Sequence, residues 1–257
     1  MGISNLYSRQ LLLLLGSAVC FFSSCKKETA DNNNNPVIFR GSGDITATVT
    51  AFRDQLGTLN TTPGALTGRR EINWDGVPDS LSGRQLPADF FNPTAAGSPA
   101  GRQRGLVYAD QASAMVSKNL FAEINPLAAT AFSNFSGNKS FAVVNANSWP
   151  VEFRVAGQTT TASVKGFGIV FNDVDAAYST YLDFYDGDRL LGHYYVPALS
   201  GSTGFSFLGV YFPGDRITRV VVNHDGMLAS GEKDISQGGA RDLVLLDDFI
   251  YSEPIKQ

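Results

Sequence analysis

The chain has 257 residues and a formal net charge of −4. No block of lysine and arginine follows its N-terminal region, which argues against a nucleic-acid-binding face. Gly (26), Phe (18) and Tyr (9) are plentiful while charged residues make up only 17 %, a composition of strands and turns rather than of long solvated helices.

Arg9 is the one basic side chain before an apolar run from Leu11 to Leu15, which continues through Ala18, Val19, Phe21 and Phe22. About a dozen residues make a signal-peptide core, whereas a spanning helix needs about 20. Phe22-Ser23-Ser24-Cys25 resembles the bacterial lipobox: apolar, small, small, cysteine. The resemblance implies removal of residues 1–24 as a lipoprotein signal peptide and a diacylglycerol on the Cys25 thiol. Membrane attachment would follow, each buried CH₂ contributing about 0.8 kcal/mol. On that reading Cys20 would leave with the signal and Cys25 would be acylated, so the mature domain would have no disulfide and would depend on its core. Residues 25–43 read as the lipidated cysteine and a polar tether, since Asp31-Asn32-Asn33-Asn34-Asn35-Pro36 offers no apolar side chain to bury. Lys26-Lys27-Glu28 resembles the stretch behind the cysteine of surface-exported bacterial lipoproteins. That implies an outer-membrane, cell-surface location, with a periplasm-facing domain as the alternative.

Residues 44–254 read as one domain. Ile45 to Phe52 alternates with period two and predicts a strand. Gly57 to Gly68 is turn-rich, and Arg70 to Asp75 alternates again. Asp79 to Gly105, with Pro87, Pro93 and Pro99, is a long connection, which is uncommon unless functional or packed as an Ω-loop. Asn125-Pro126 would cap and open a short helix ending at Phe132. From Phe141 onward the strand signal is dense. Val151, Phe153 and Val155 alternate, as do Phe167, Ile169 and Phe171. Leu182-Phe184 and Leu191-His193-Tyr195 flank Asp186-Gly187, a strong hairpin signal. Phe205 to Tyr211, Ile217 to Val222 and Leu243 to Tyr251 complete the set. With no β-helix-β rhythm, the pattern predicts an all-β, jelly-roll-like antiparallel β-sandwich with one or two short helices.

Four stretches carry a further resemblance. They are Gly68-Arg69-Arg70-Glu71-Ile72-Asn73-Trp74-Asp75-Gly76, Gly166-Phe167-Gly168-Ile169-Val170-Phe171-Asn172-Asp173-Val174-Asp175, Phe207-Leu208-Gly209-Val210 and Leu246-Asp247-Asp248-Phe249-Ile250-Tyr251. In this order they resemble an uncharacterised β-sandwich domain common in secreted bacterial proteins, from about Ile45 to Pro254. No activity follows from it. A more distant resemblance, at the level of the fold, is to jelly-roll carbohydrate-binding and adhesion modules, some of which end in an acid-bearing strand beside a structural calcium.

Calcium takes six to eight oxygens from carboxylates, carbonyls and water. Asp173 and Asp175, at i and i+2, would point the same way on an extended segment. Asp247 and Asp248, adjacent in a strand, would point oppositely, so only one of them could join a shared site. Glu71 and Asp75 are further candidate ligands. The competing reading pairs Arg69 or Arg70 with Asp247 or Asp248 across the sandwich. Tyr181 and Tyr185 fall opposite Leu182 and Phe184 in the alternation, so they would face outward and are candidate ligand-binding residues. Their competing role is cross-strand packing.

Catalysis has little sequence support. The two histidines, His193 and His224, come without a thiol and make a zinc site improbable. Gly201-Ser202-Thr203-Gly204 is not a nucleophile elbow. These residues lead to the expectation of a non-enzymatic, membrane-anchored module that binds glycan or extracellular matrix, with Ca²⁺ as a candidate structural ion. The alternatives are a carbohydrate-active hydrolase using a carboxylate pair and a structural envelope component without a small-molecule ligand.

Overall fold

The computed structural model describes residues 34–108, 113–199 and 204–257. The predicted signal peptide, residues 1–24, and the candidate lipidation site Cys25 lie outside the described residues. In chain order the strands are β1 Val37–Ser42, β2 Arg69–Ile72, β3 Leu106–Tyr108, β4 Ser113–Ser117, β5 Ser140–Val144, β6 Ser148–Phe153 and β7 Ala162–Ser163. They continue with β8 Gly166–Asn172, β9 Tyr181–Asp186, β10 Arg189–Tyr195, β11 Phe205–Tyr211, β12 Arg219–Asn223, β13 Leu245–Ser252 and β14 Ile255–Lys256. Helix α1 spans Thr46–Leu56.

Two antiparallel sheets face each other. The larger has the order β1-β11-β8-β13-β5-β4, with β2 also pairing β13, and the smaller the order β10-β9-β12-β6-β3. Alternation along each strand sends one set of side chains inward. Phe167, Ile169, Phe171, Leu208 and Phe249 from the first sheet meet Trp149, Val151, Phe153, Leu182, Phe184 and Val222 from the second. The protein is thus the all-β sandwich that the alternation predicts. Trp74 closes one part of this core, its ring 4.0 Å from that of Phe141 and its indole N–H donating to the Asp247 carbonyl at 2.7 Å.

The segment predicted as the first strand is a helix instead. Ile45, Val49, Phe52 and Leu56 are the buried positions, and their spacing of four, three and four residues is helical. Ile45, Ala47, Val49 and Ala51 also satisfy period two up to Phe52, and tertiary packing decides between the periods. Asp44 Oδ1 accepts the Thr46 amide at 3.0 Å and starts the first turn. The apolar stripe then lies on Val170, Phe207 and Ile250 of the larger sheet. A Cβ at Gly209 would stand 3.0 Å from Phe52, so glycine there lets the helix approach.

A second cluster covers the other end of the same outer face, where Phe121, Ala128 and Phe132 pack on Ala142, Val144 and Leu245. Asn125 Oδ1 accepts the Ala128 amide, but the helix that follows is only a short 3₁₀ turn, Ala128–Ala131, with Leu127 at its N-cap position. The long connection from Asp79 to Gly105 is packed rather than free, with Leu86, Phe90 and Phe91 buried. The predicted β9–β10 hairpin is present. Its central residues are Gly187 and Asp188, and of the two only Gly187 has positive φ (58°), the pattern of a type II′ turn.

The larger sheet is therefore covered on both faces. The outer face of the smaller sheet has no such cover among the described residues, and this contrast locates the candidate site.

Candidate functional site

On β9, Leu182 and Phe184 turn inward, so Tyr181, Asp183 and Tyr185 turn outward. Register with β10 sets Tyr181 opposite Tyr195 and Asp183 opposite His193, and register with β12 sets Tyr181 opposite Asn223. The rings gather into one patch. Tyr181 lies 4.4 Å from His193 and 5.6 Å from Tyr195, and the exposed Tyr178 stands edge-on to Tyr195 at 4.9 Å. Planar polar groups run beside them: His193 Nδ1 is 2.6 Å from Asp183 Oδ1, and Asn223 donates to Asp183 Oδ2 at 3.3 Å. Tyr185 sits apart from this patch with the Arg219 guanidinium 4.5 Å over its ring.

The patch opens into a cleft of about 670 Å³ lined by Tyr178, Tyr181, His224, Asp225, Glu232 and Arg241. His224 is buried, and burial lowers its pKa to about 4, so the imidazole is neutral at physiological pH. Arg241 donates to Asp225 across the rim.

One wall of the cleft is the loop between β8 and β9. Asp242 holds that loop: the amides of Asp175 and Ala176 and the Ser179 hydroxyl all donate to its carboxylate. Burial raises the Asp242 pKa to about 6, against the lowering effect of these bonds. At the root of the loop, Asp173, Asp175 and Asp234 each bring a carboxylate oxygen within 4.8 Å of the others. Asp234 is fully buried and accepts the amides of Ser236 and Leu243 at 2.7 and 2.8 Å. Burial, followed by the charges of Asp175, Asp234 and Asp242, raises the Asp173 pKa to about 8.

Of the candidate metal ligands, the fold therefore gathers Asp173 and Asp175, and adds Asp234. Asp247, Asp248, Glu71 and Asp75 are outside this cluster. Leu246 pairs with Phe171 but Phe249 with Ile169, so β13 carries an extra residue between them, a β-bulge. It overrides the alternation expected of Asp247 and Asp248, and both carboxylates reach the Ser136 hydroxyl. Burial pushes both of their pKa values up. Asp75 accepts the Asn138 amide instead.

The arginine–carboxylate pairs differ from those expected. Arg70 pairs with Glu253, both fully buried, through contacts of 2.7 and 2.8 Å. Arg69 pairs with Glu71, and Arg53 of α1 bridges Glu71 and Asp248. Glu71 and Asp248 line a second pocket of about 320 Å³ with Arg53, Arg104, Asn73 and Ser136. Asp234 and Asp242 carry no sequence signal beyond being aspartates in an aperiodic segment, and Tyr178 lies in the loop ahead of β9. No family model matches the chain and no curated protein matches it in sequence. Among the described residues, no helix is long and apolar enough to cross a membrane.

Proposed function

We propose that the chain is a lipid-anchored bacterial surface protein whose β-sandwich binds glycan or matrix polysaccharide, without acting on it, through the outer face of the smaller sheet. The observation that carries this reading is the patch formed by Tyr178, Tyr181, His193 and Tyr195 at the mouth of the 670 Å³ cleft, on the sheet face that no other element covers among the described residues. Tyrosine rings offer apolar faces to sugar C–H groups and keep a hydroxyl for hydrogen bonding. Asp183, Asn223 and His193 supply planar donors and acceptors at the height of the rings, which is the mixture a polar ligand needs.

A glycan-array screen of the full chain in detergent tests it. The reading expects binding to a defined set of glycans, and failure to bind any would favour a structural envelope role. The anchor rests on Phe22-Ser23-Ser24-Cys25. Wild-type protein should carry acyl mass on its N-terminal peptide and partition into detergent, and Cys25→Ser should lose both. An intact, unacylated Cys25 in mature protein would contradict it.

A second reading, a carbohydrate-active hydrolase, is favoured by one observation. Glu71 and Asp248 share a pocket, and their pKa values move apart. Asp248 is raised, chiefly by burial, whereas the Arg53 and Arg69 contacts outweigh burial and lower Glu71. Release of reducing ends from the bound glycans, abolished by Glu71→Gln, would support this reading over simple binding.

A further inference from the structure

We propose that Asp173, Asp175 and Asp234 form a binding site for one Ca²⁺ ion, which clamps the loop between β8 and β9 to the segment between β12 and β13. The proposal concerns a metal and not the glycan, so it stands or falls separately from the reading above.

Two independent observations carry it. The first is convergence: two parts of the fold deliver three carboxylate oxygens within 4.8 Å of one another. The second is an unsatisfied group. Asp173 is only 2 % exposed, and its Oδ2 has no hydrogen-bond partner among the described residues. A buried carboxylate oxygen without a donor carries a desolvation cost that a cation would remove. The groups that bond Asp234 are neutral, two amides and the Ser236 hydroxyl, so they do not cancel the charge of the cluster.

The donor set identifies the chemistry. The three ligands are all carboxylates, which suits a hard cation and not zinc or copper. Ca²⁺ accepts irregular arrangements of carboxylate, carbonyl and water oxygens on loops, whereas Mg²⁺ demands near-octahedral order. Asp234 is already oriented by its three bonds, and Asp173 and Asp175 flank Val174, whose buried side chain pins the loop to the core. Asp242 already ties residues 175, 176 and 179 to the same segment. A cation would add a second fastening at the root of the loop that presents Tyr178 to the cleft.

The full chain in detergent, stripped with a chelator, is titrated with CaCl₂ by calorimetry, analysed for metal and melted with and without the ion. One calcium per chain is expected, with Tm raised by roughly 5–10 °C at a hundredfold excess over Kd. Asp175→Asn should weaken Ca²⁺ at least tenfold, while Asp188→Asn, in the exposed hairpin turn, should respond as wild type. Asp173→Asn guards against misfolding as an explanation. Stripped of metal, it should melt no lower than stripped wild type, because it replaces a buried acid among other acids with a neutral group of the same size, and it should no longer respond to Ca²⁺. Superimposable melts in calcium and chelator with no bound metal would overturn the proposal, leaving the acids to share protons. A calcium response that survives in both Asp173→Asn and Asp175→Asn would overturn it equally.

Discussion

Asp173 and Asp234, far apart in the chain, present carboxylate oxygens within 4.8 Å of each other. One directly follows β8 of the larger sheet, and the other lies in the segment between β12 and β13. That segment also supplies Asp242, whose carboxylate accepts the amides of Asp175 and Ala176 and so holds the β8–β9 loop. Asp242→Ala would remove the acceptor of two loop amides, those of Asp175 and Ala176, while the Ser179 hydroxyl keeps the Ala176 carbonyl as an acceptor. Leaving such groups unpaired costs about 1–3 kcal/mol each where they stay dry. The expected loss is about 2–4 kcal/mol in urea denaturation, since some of them would regain water. Asp242→Asn, which retains one acceptor oxygen, should lose less. Equal stability of Asp242→Ala and wild type would mean that the loop is held from elsewhere.

The Arg70–Glu253 pair joins β2 to the end of β13 inside the protein, with side-chain exposures of 0 % and 2 %. Arg70 also donates to the Thr62 carbonyl, so the ion pair fastens the turn-rich segment after α1 as well. Removing one partner of a buried pair leaves an uncompensated charge and costs about 3–5 kcal/mol. Arg70→Met and Glu253→Gln should each lose about that much. The double variant Arg70→Met/Glu253→Leu should recover most of it. Measured denaturation midpoints decide between this and additive losses, which would show that the two residues act independently.

Much of the frame is legible in the sequence because the sandwich is built from alternating strands. Leu182, Phe184 and the Asp186-Gly187 dipeptide identify the hairpin, and the outward direction of Tyr181 follows from the same alternation. Ile45 to Phe52 misleads because Ile45 and Val49 fit both periods, Ala47 and Ala51 extend the alternation, and only the sheet beneath selects the helical set with Phe52. Asp173 and Asp175 stand out at i and i+2. Asp234 does not, because its meeting with them depends on how an aperiodic segment closes over the sheet. Asp247 and Asp248 fail the alternation rule for a local reason: one extra residue in β13 puts both acids within reach of Ser136.

His224 lies at the cleft, and burial holds its imidazole neutral with a pKa of about 4, below the ordinary 6.5. A depressed pKa means that the folded state binds fewer protons than the unfolded one between these values. The stability His224 contributes is therefore full above about pH 6.5 and is lost as pH falls toward 4. Each pKa unit corresponds to about 1.4 kcal/mol. The stability of wild type relative to His224→Gln should thus fall by about 2–3 kcal/mol between pH 7 and pH 4.5. Urea denaturation at the two pH values measures it, and a constant difference would mean that the imidazole is accessible to protons in the folded state.

Tyr181 and Tyr185 share one face of β9, yet only Tyr181 belongs to the aromatic patch at the cleft, while Tyr185 lies under Arg219. Binding of the best glycan from the array is measured by calorimetry for wild type, Tyr181→Ala and Tyr185→Ala. If the patch at the cleft binds glycan, Tyr181→Ala weakens binding at least tenfold, about 1.4 kcal/mol, and Tyr185→Ala changes it less than twofold. Unchanged affinity in Tyr181→Ala, with its fold intact, would contradict glycan recognition by this face.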